Sequence, residues 1–118
     1  MAKCNMELQE KYFNLIKEGK KSIELRLFDE KRQRIKVGDV IVFTNNQNKN
    51  ETIYCRVSSL FRAESFEKLC TKFDCIKAGF MTNADLIATM QTFYSLDMQR
   101  QYGVVGIELN LCEVTDDN

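Results

Sequence analysis

The chain has 118 residues and contains no His, no Pro and no Trp. The lack of His is the most restrictive of these absences. Ser-His-Asp and Cys-His nucleophile systems cannot be assembled within the chain, and neither can zinc sites that need a His ligand. Any acid–base chemistry must therefore use Lys, Asp, Glu, Tyr, Cys or water.

The sequence also lacks the cysteine spacing of a metal site or of a disulfide framework. The cysteines form no C-x-x-C pair, and their number is odd: Cys4, Cys55, Cys70, Cys75 and Cys112. We expect them to be buried, reduced thiols in a cytoplasmic protein, with no metal ion and no cofactor.

Long apolar runs are missing as well. No run reaches the roughly 18 residues of a membrane helix. The N-terminus lacks the apolar stretch of a secretory signal. We therefore expect no membrane association.

The length suits a single domain over residues 1–118, because two halves would be too small to bury stable cores. Lys and Arg balance Asp and Glu at 17 each, but the charges are unevenly distributed. Residues 1–62 hold 13 basic and 8 acidic side chains, whereas residues 63–118 hold 4 basic and 9 acidic ones. The basic excess is densest over residues 17–36, and clustered basic charge attracts polyanions even when the total is zero.

Hydrophobic periodicity predicts helix first and strands next. Asn5 is the expected cap of a first helix, which should end at Gly19. The apolar stripe of this helix recurs at helical spacing: Leu8, Tyr12, Leu15 and Ile16. A strand over residues 21–28 should follow, because Ile23, Leu25 and Leu27 alternate there with polar residues. Residues 29–36 are expected to form a charged loop.

Further strands are predicted over residues 40–43, around residues 53–58 and over residues 105–111, with a polar connection over residues 45–50. Two helices should precede the last strand, one capped by Ser65 and one by Thr82. The second helix should bury the stripe Leu86, Met90 and Phe93. A short helical turn is predicted over residues 96–101. This order favours an α+β fold with a curved mixed or antiparallel sheet.

The segment over residues 19–26 carries the strongest chemical pattern. Glu24 and Arg26 lie two residues apart on a strand, so they share the face opposite Ile23 and Leu25. A Lys, a Glu and an Arg in one short stretch can bind a phosphate, a carboxylate or a base edge. Lys21 could also act as a nucleophile or a base if burial lowers its pKa. The alternative is a solvated strand face with one ion pair.

These residues resemble a known signature. Gly19-x-Lys21-x-x-Glu24-x-Arg26 is similar to the G-x-K-x-x-E-x-R motif of the ASCH domain, in the PUA-like superfamily. The flanking segments are similar too, including the turn over residues 36–39 and residues 93–95 and 102–108. The resemblance implies a small β-barrel with helices packed at its ends. It also implies a cleft that binds RNA or a nucleotide and is lined by Lys21, Glu24 and Arg26.

Other residues are expected to contribute to this cleft. Tyr94 and Tyr102 are candidates for stacking on a base, and Asp29 and Arg32 are candidates for the rim. For each of the four, packing or solvation alone is the competing interpretation.

The resemblance leaves open whether the protein is an enzyme. One branch of ASCH-like proteins hydrolyses acetylcytidine, with a Lys, a Thr and a Glu. The Lys matches Lys21, whereas Glu24 stands at the Thr position, and no carboxylate matches the Glu near residues 77–79. A small hydrolase or a ribonuclease, with Lys21 and Glu24 as the catalytic candidates, is therefore the alternative to a binding module.

Overall fold

Five strands form one curled sheet that makes up half of a barrel, with helices packed around it. A computed structural model describes residues 2–113. The strands are β1 (Lys3–Leu8), β2 (Ile23–Leu27), β3 (Val40–Asn45), β4 (Asn48–Ala63) and β5 (Val104–Cys112). Their order in the sheet is β1-β3-β4-β5-β2. β1 pairs with β3 in parallel and the other pairs are antiparallel, so the predicted α+β fold with a mixed sheet is confirmed.

The helices lie in the connections and before the last strand. They are α1 (Glu10–Lys17), α2 (Glu30–Gln33), α3 (Phe66–Leu69), α4 (Asn83–Phe93) and α5 (Leu96–Tyr102), with a 3-10 turn at Cys75–Ala78. Ser65 and Thr82 cap α3 and α4 through their side chains, as the sequence predicts. No helix within residues 2–113 combines the length and apolar character needed to cross a bilayer.

Two groups of buried side chains hold the helices to the sheet. The first joins α1 to β1, β3 and β4, and includes Phe13 and Phe43. The second joins α3 and α4 to β2, and includes Phe66, Leu69 and Leu86. β5 contributes residues to both groups, because it lies between β4 and β2 in the curled sheet. Burial of these apolar side chains is the main stabilising contribution to such a fold.

The predicted first helix is wrong at its start. Residues 3–8 form β1, and α1 begins only at Glu10, after Gln9. The apolar residues of β1 alternate, with Met6 and Leu8 buried, but a parallel partner some 37 residues away decides the structure there. Long-range strand pairing overrides local helical spacing in such segments. The predicted stop at Gly19 is confirmed, with a φ of 79°.

Three other local expectations are also corrected. The polar connection over residues 45–50 is mostly strand, with only Asn46 and Gln47 between β3 and β4. The charged loop over residues 29–36 contains the short helix α2, capped by Asp29. Phe93 is 44% exposed and does not join the buried stripe of α4.

The free edges of the half-barrel belong to β1 and β2, and we call the gap between these two strands the seam. Basic side chains bind the carbonyls on the free edge of β1. Arg26 of β2 donates from Nη2 to the Glu7 carbonyl at 2.9 Å, and Lys31 of α2 donates to the Asn5 carbonyl at 2.6 Å. These cations stand in for a missing strand partner and protect an otherwise open edge.

Candidate functional site

A pocket of about 180 Å³ opens at the seam, and we call it the seam pocket. Residues of β1, α1, β2 and α4 meet there, together with the β3–β4 turn. Its lining consists of Glu7, Leu8, Gln9, Tyr12, Lys21, Glu24, Leu25, Arg26, Asn46, Phe80, Met90, Phe93 and Tyr94. The seam pocket therefore combines charged groups with several aromatic rings.

Lys21 is the deepest charged group of the pocket. Its side chain is only 3% exposed, and Nζ lies 3.4 Å from Oε1 of Glu24. Nζ also donates to the carbonyl of Ala78 at 2.8 Å and lies 5.3 Å from the centroid of the Tyr12 ring. The ammonium thus has an anion, a carbonyl and an aromatic face as partners, which a buried cation needs.

Glu24 links Lys21 to Arg26. Its side chain is 8% exposed, and Oε2 accepts from Nε of Arg26 at 2.7 Å. The contact with Arg26 follows from the strand, because Glu24 and Arg26 lie on one face of β2 while Ile23, Leu25 and Leu27 are buried on the other. The alternative of a solvated strand face is therefore not what the structure shows. Two cations around one carboxylate leave this group with a net positive charge.

The turn after α1 sets the position of Lys21. Gly19 adopts a positive φ, and the amides of Lys20 and Lys21 donate to the carbonyl of Leu15 at 2.8 and 3.0 Å. The amide of Ser22 then donates to the carbonyl of Lys77 at 2.8 Å, which ties the start of β2 to the 3-10 turn. The glycine of the signature therefore has a backbone role, since the left-handed region favours glycine.

Aromatic side chains line much of the remaining surface of the pocket. Tyr12 and Phe80 have ring centroids 6.5 Å apart, and those of Phe93 and Tyr94 are 6.4 Å apart. The Tyr94 ring also stacks on Phe66 of the core at 5.9 Å. Rings anchored in this way offer flat surfaces on which a planar ligand can stack.

The structure brings together four of the residues predicted for the site. Lys21, Glu24, Arg26 and Tyr94 all line the seam pocket. The remaining three predicted residues do not line it. Asp29 caps α2 and pairs with Arg32 at 2.9 Å, and Tyr102 ends α5 with 39% of its surface exposed. Contact of these three residues with a ligand stays a prediction.

Sequence reasoning missed several residues of the pocket, above all Tyr12, Asn46, Phe80 and Phe93. Helical spacing predicts Tyr12 and Phe93 in buried stripes, but Tyr12 in the first turn of α1 is half-buried and Phe93 at the end of α4 is exposed. Asn46 falls in what reads as a polar connection, and Phe80 follows a short turn. Composition and spacing give no signal for either residue.

Burial changes the proton affinity of two groups in the pocket. Burial lowers the pKa of Lys21, and the carboxylate of Glu24 partly opposes this shift. The pKa of Tyr12 is raised by burial and by the negative charge of Glu24, so its phenol stays protonated. The pocket therefore offers a cation with an increased tendency to release its proton, a carboxylate, a guanidinium and a neutral phenol.

The curled half-barrel with its helices and seam pocket is a PUA-like fold. A family model for the ASCH domain matches residues 6–113, so the chain belongs to the ASCH domain family, whose members are generally thought to bind RNA. The resemblance inferred from the sequence is thereby confirmed. No protein with a curated description matches the sequence.

Solved structures of similar proteins agree with this assignment. The crystal structure of the hypothetical protein PH0355 is 35% identical, with a TM-score of 0.82 over 93% of this chain and 99% of that one. The solution structure of protein PF0455 from Pyrococcus furiosus is also 35% identical, with a TM-score of 0.73 over 95% and 99% of the two chains. ASCH from Zymomonas mobilis is 12% identical, with a TM-score of 0.61 over 92% and 66%, which shows the fold alone.

Proposed function

We propose that the seam pocket binds a nucleobase, either of a free nucleotide or as an unpaired base of single-stranded RNA. The observation that carries this proposal is the buried group Lys21, Glu24 and Arg26 within a pocket of aromatic rings. Charged donors and a carboxylate can hydrogen-bond the edge of a base. Aromatic rings stack on its faces, which is how proteins commonly hold unpaired bases.

Basic residues near the pocket are suitable for the phosphates. Lys11 is exposed and lies 5.7 Å from the centroid of the Tyr12 ring. Lys49 pairs with Glu7 of the lining, and Lys31 binds the free edge of β1. Lys11 and Lys31 supply positive charge at the seam, where a phosphate backbone would run, whereas the charge of Lys49 is balanced by Glu7.

Much of the basic segment over residues 17–36 is neutralised locally. Lys17 pairs with Glu51, Arg32 with Asp29 and Arg34 with Glu30. Lys21 and Arg26 share the single carboxylate of Glu24 inside the pocket, and Lys31 and Lys36 pair with no carboxylate among residues 2–113. Two cations around one carboxylate in the pocket support recognition of a ligand there.

Binding of a labelled single-stranded RNA of ten nucleotides tests the proposal, with fluorescence anisotropy as the readout. Two phosphate contacts would weaken binding about seven-fold between 50 and 200 mM salt, since counterions are released on binding single strands. Lys21→Met should weaken binding by about 10- to 100-fold at constant salt, because it removes a charged hydrogen-bond donor.

Lys20→Met is the matched control, because Lys20 is the preceding residue, is exposed and pairs only loosely with Glu18 at 3.5 Å. It should bind the RNA nearly as wild type does. No binding by wild type at low salt, or equal losses in the Lys20 and Lys21 variants, would contradict the proposal.

Hydrolysis of a modified nucleoside is the second candidate function, and the lowered pKa of the buried Lys21 favours it. A neutral amine there could take a proton from water as the water attacks an acetyl carbonyl. The C–N bond then breaks, and acetate and the free base amine are released. Glu24 stands where the related hydrolases have a Thr hydroxyl, so any such activity in this chain must proceed without it.

Incubation of the protein with acetylcytidine tests this candidate, with acetate and cytidine as the measured products. Turnover should rise with pH as Lys21 loses its proton, and Lys21→Met should abolish it while Lys20→Met leaves it intact. Turnover that is absent in wild type, or unchanged in Lys21→Met, would remove Lys21 from a hydrolytic mechanism.

A further inference from the structure

Asn46 is a half-buried polar residue of the seam pocket that the signature motif does not include. It lies in the turn between β3 and β4 and lines the pocket. Its side-chain oxygen Oδ1 is buried, yet it accepts no hydrogen bond from any residue of the described part of the chain, 2–113. A buried carbonyl without a partner costs free energy, so its retention calls for an explanation.

The turn around Asn46 is held firmly on both sides. The amide of Asn46 donates to the carbonyl of Leu8 at 2.9 Å, which fixes the turn against the end of β1. Its neighbour Asn45 is fully buried, and it donates to Glu51 at 3.1 Å and accepts from the amide of Gln47 at 2.9 Å. These hydrogen bonds fix the backbone from which the side chain of Asn46 extends.

The charged residues of the pocket offer a ligand mainly hydrogen-bond donors, and Asn46 can supply an acceptor. Lys21 and Arg26 can only donate hydrogen bonds. Glu24 already faces both of them, at 3.4 and 2.7 Å. A nucleobase presents N–H groups as well as acceptors at its edge, and these need an acceptor in the pocket. The unpartnered Oδ1 of Asn46 is such an acceptor.

We propose that Asn46 is a specificity-determining residue, whose Oδ1 accepts a hydrogen bond from an N–H group of the bound base. This inference rests on the proposed function, since it concerns a base in the same pocket. In this assignment, Asn46 recognises a hydrogen-bond donor of the base, while Lys21 and Arg26 bind its hydrogen-bond acceptors. A base whose donor is blocked by a methyl group should then bind poorly.

Calorimetric titration with matched nucleotides tests the assignment. The probes are UMP against N3-methyl-UMP and CMP against N4,N4-dimethyl-CMP, each with wild type, Asn46→Ala and Asn46→Asp. Wild type should prefer the better-bound unmethylated nucleotide by at least about ten-fold, the value of one satisfied hydrogen bond in a buried site. Asn46→Ala should bind the members of that pair equally, whereas Asn46→Asp, which keeps an acceptor, should retain the preference.

The outcomes separate this inference from the proposed function. Binding of UMP or CMP with the same preference in Asn46→Ala as in wild type overturns the role of Asn46 and leaves the pocket as a base site. Failure of wild type to bind either nucleotide overturns the role of Asn46, whereas the proposed function is overturned only if the RNA also fails to bind. Loss of preference in Asn46→Asp shows that the amide donates and is not the acceptor proposed here. Thermal unfolding adds an independent readout, because Asn46→Ala removes an unpaired carbonyl and should not lower Tm.

Discussion

The Glu24→Ala variant should lose about 3–5 kcal/mol of unfolding free energy, the cost typical of breaking a buried ion pair from one side. The substitution leaves Lys21 and Arg26 in a buried site without the carboxylate that they share. Their remaining hydrogen-bond partners are backbone carbonyls, of Ala78 and Glu7 respectively. Urea unfolding followed by circular dichroism measures the change.

Glu64→Ala is the matched control for the charge. Glu64 also pairs with a lysine, Lys68, but both side chains are exposed. Surface pairs contribute little, so this variant should unfold like wild type. If Glu24→Ala were no less stable than Glu64→Ala, the ion pairs of Glu24 with Lys21 and Arg26 would not stabilise the folded protein.

The stability deficit of Glu24→Ala should also depend on pH. Burial lowers the folded-state pKa of Lys21 from its ordinary value of 10.5, and Glu24 opposes that shift. At a pH between the folded-state and the unfolded-state pKa of Lys21, the unfolded chain binds more protons than the folded protein does. The free energy of unfolding therefore rises with pH over this range. Removal of Glu24 lowers the pKa of Lys21 further, so in the variant this rise of the unfolding free energy begins at a lower pH. The deficit should therefore narrow as pH increases from about 6 to about 9, where Tyr12 is still protonated.

Arg26→Ala should weaken nucleotide binding by about 10- to 100-fold, as expected for loss of a charged hydrogen-bond donor. It should also loosen the seam, because the same guanidinium holds Glu24 at 2.7 Å and the Glu7 carbonyl of β1 at 2.9 Å. Hydrogen exchange should accelerate in β1, while amides shared by β4 and β5 in the middle of the sheet stay protected.

Arg26→Lys separates charge from geometry. It keeps the positive charge but cannot reproduce the planar fork that contacts both partners, so it should recover little of the affinity. Arg34→Ala is the control, because Arg34 is 78% exposed and pairs with Glu30 at the surface. Wild-type binding and exchange in Arg26→Lys would show that charge alone accounts for the effect.

The fold was largely predictable where local pattern and tertiary structure agree. The alternation of Ile23, Leu25 and Leu27 identified β2, and Ser65 and Thr82 marked the starts of α3 and α4. The first strand was missed because Met6 and Leu8 fit a helix stripe as well as a strand. Its structure depends on pairing with β3, and local sequence does not record that pairing.

The candidate site was predictable in its charged part. The spacing of Glu24 and Arg26 fixes them on one face of a strand, so their contact follows from the sequence. The depth of Lys21 does not follow from the sequence, because it depends on the 3-10 turn that supplies the Ala78 carbonyl. The aromatic walls and Asn46 come from four separate segments, and only the curled sheet places them together.

The position of the seam has a consequence for the order of folding. β3 and β4 are joined by a two-residue turn, so they can pair as soon as both are available. β1 must find β3, with Lys3 opposite Val40, and β2 must find β5, with Ile23 opposite Glu108. Closing such long loops is slow, so both edges of the seam should form late. During synthesis β2 remains without its partner until β5 has left the ribosome, and the nascent chain acquires a complete pocket only after that.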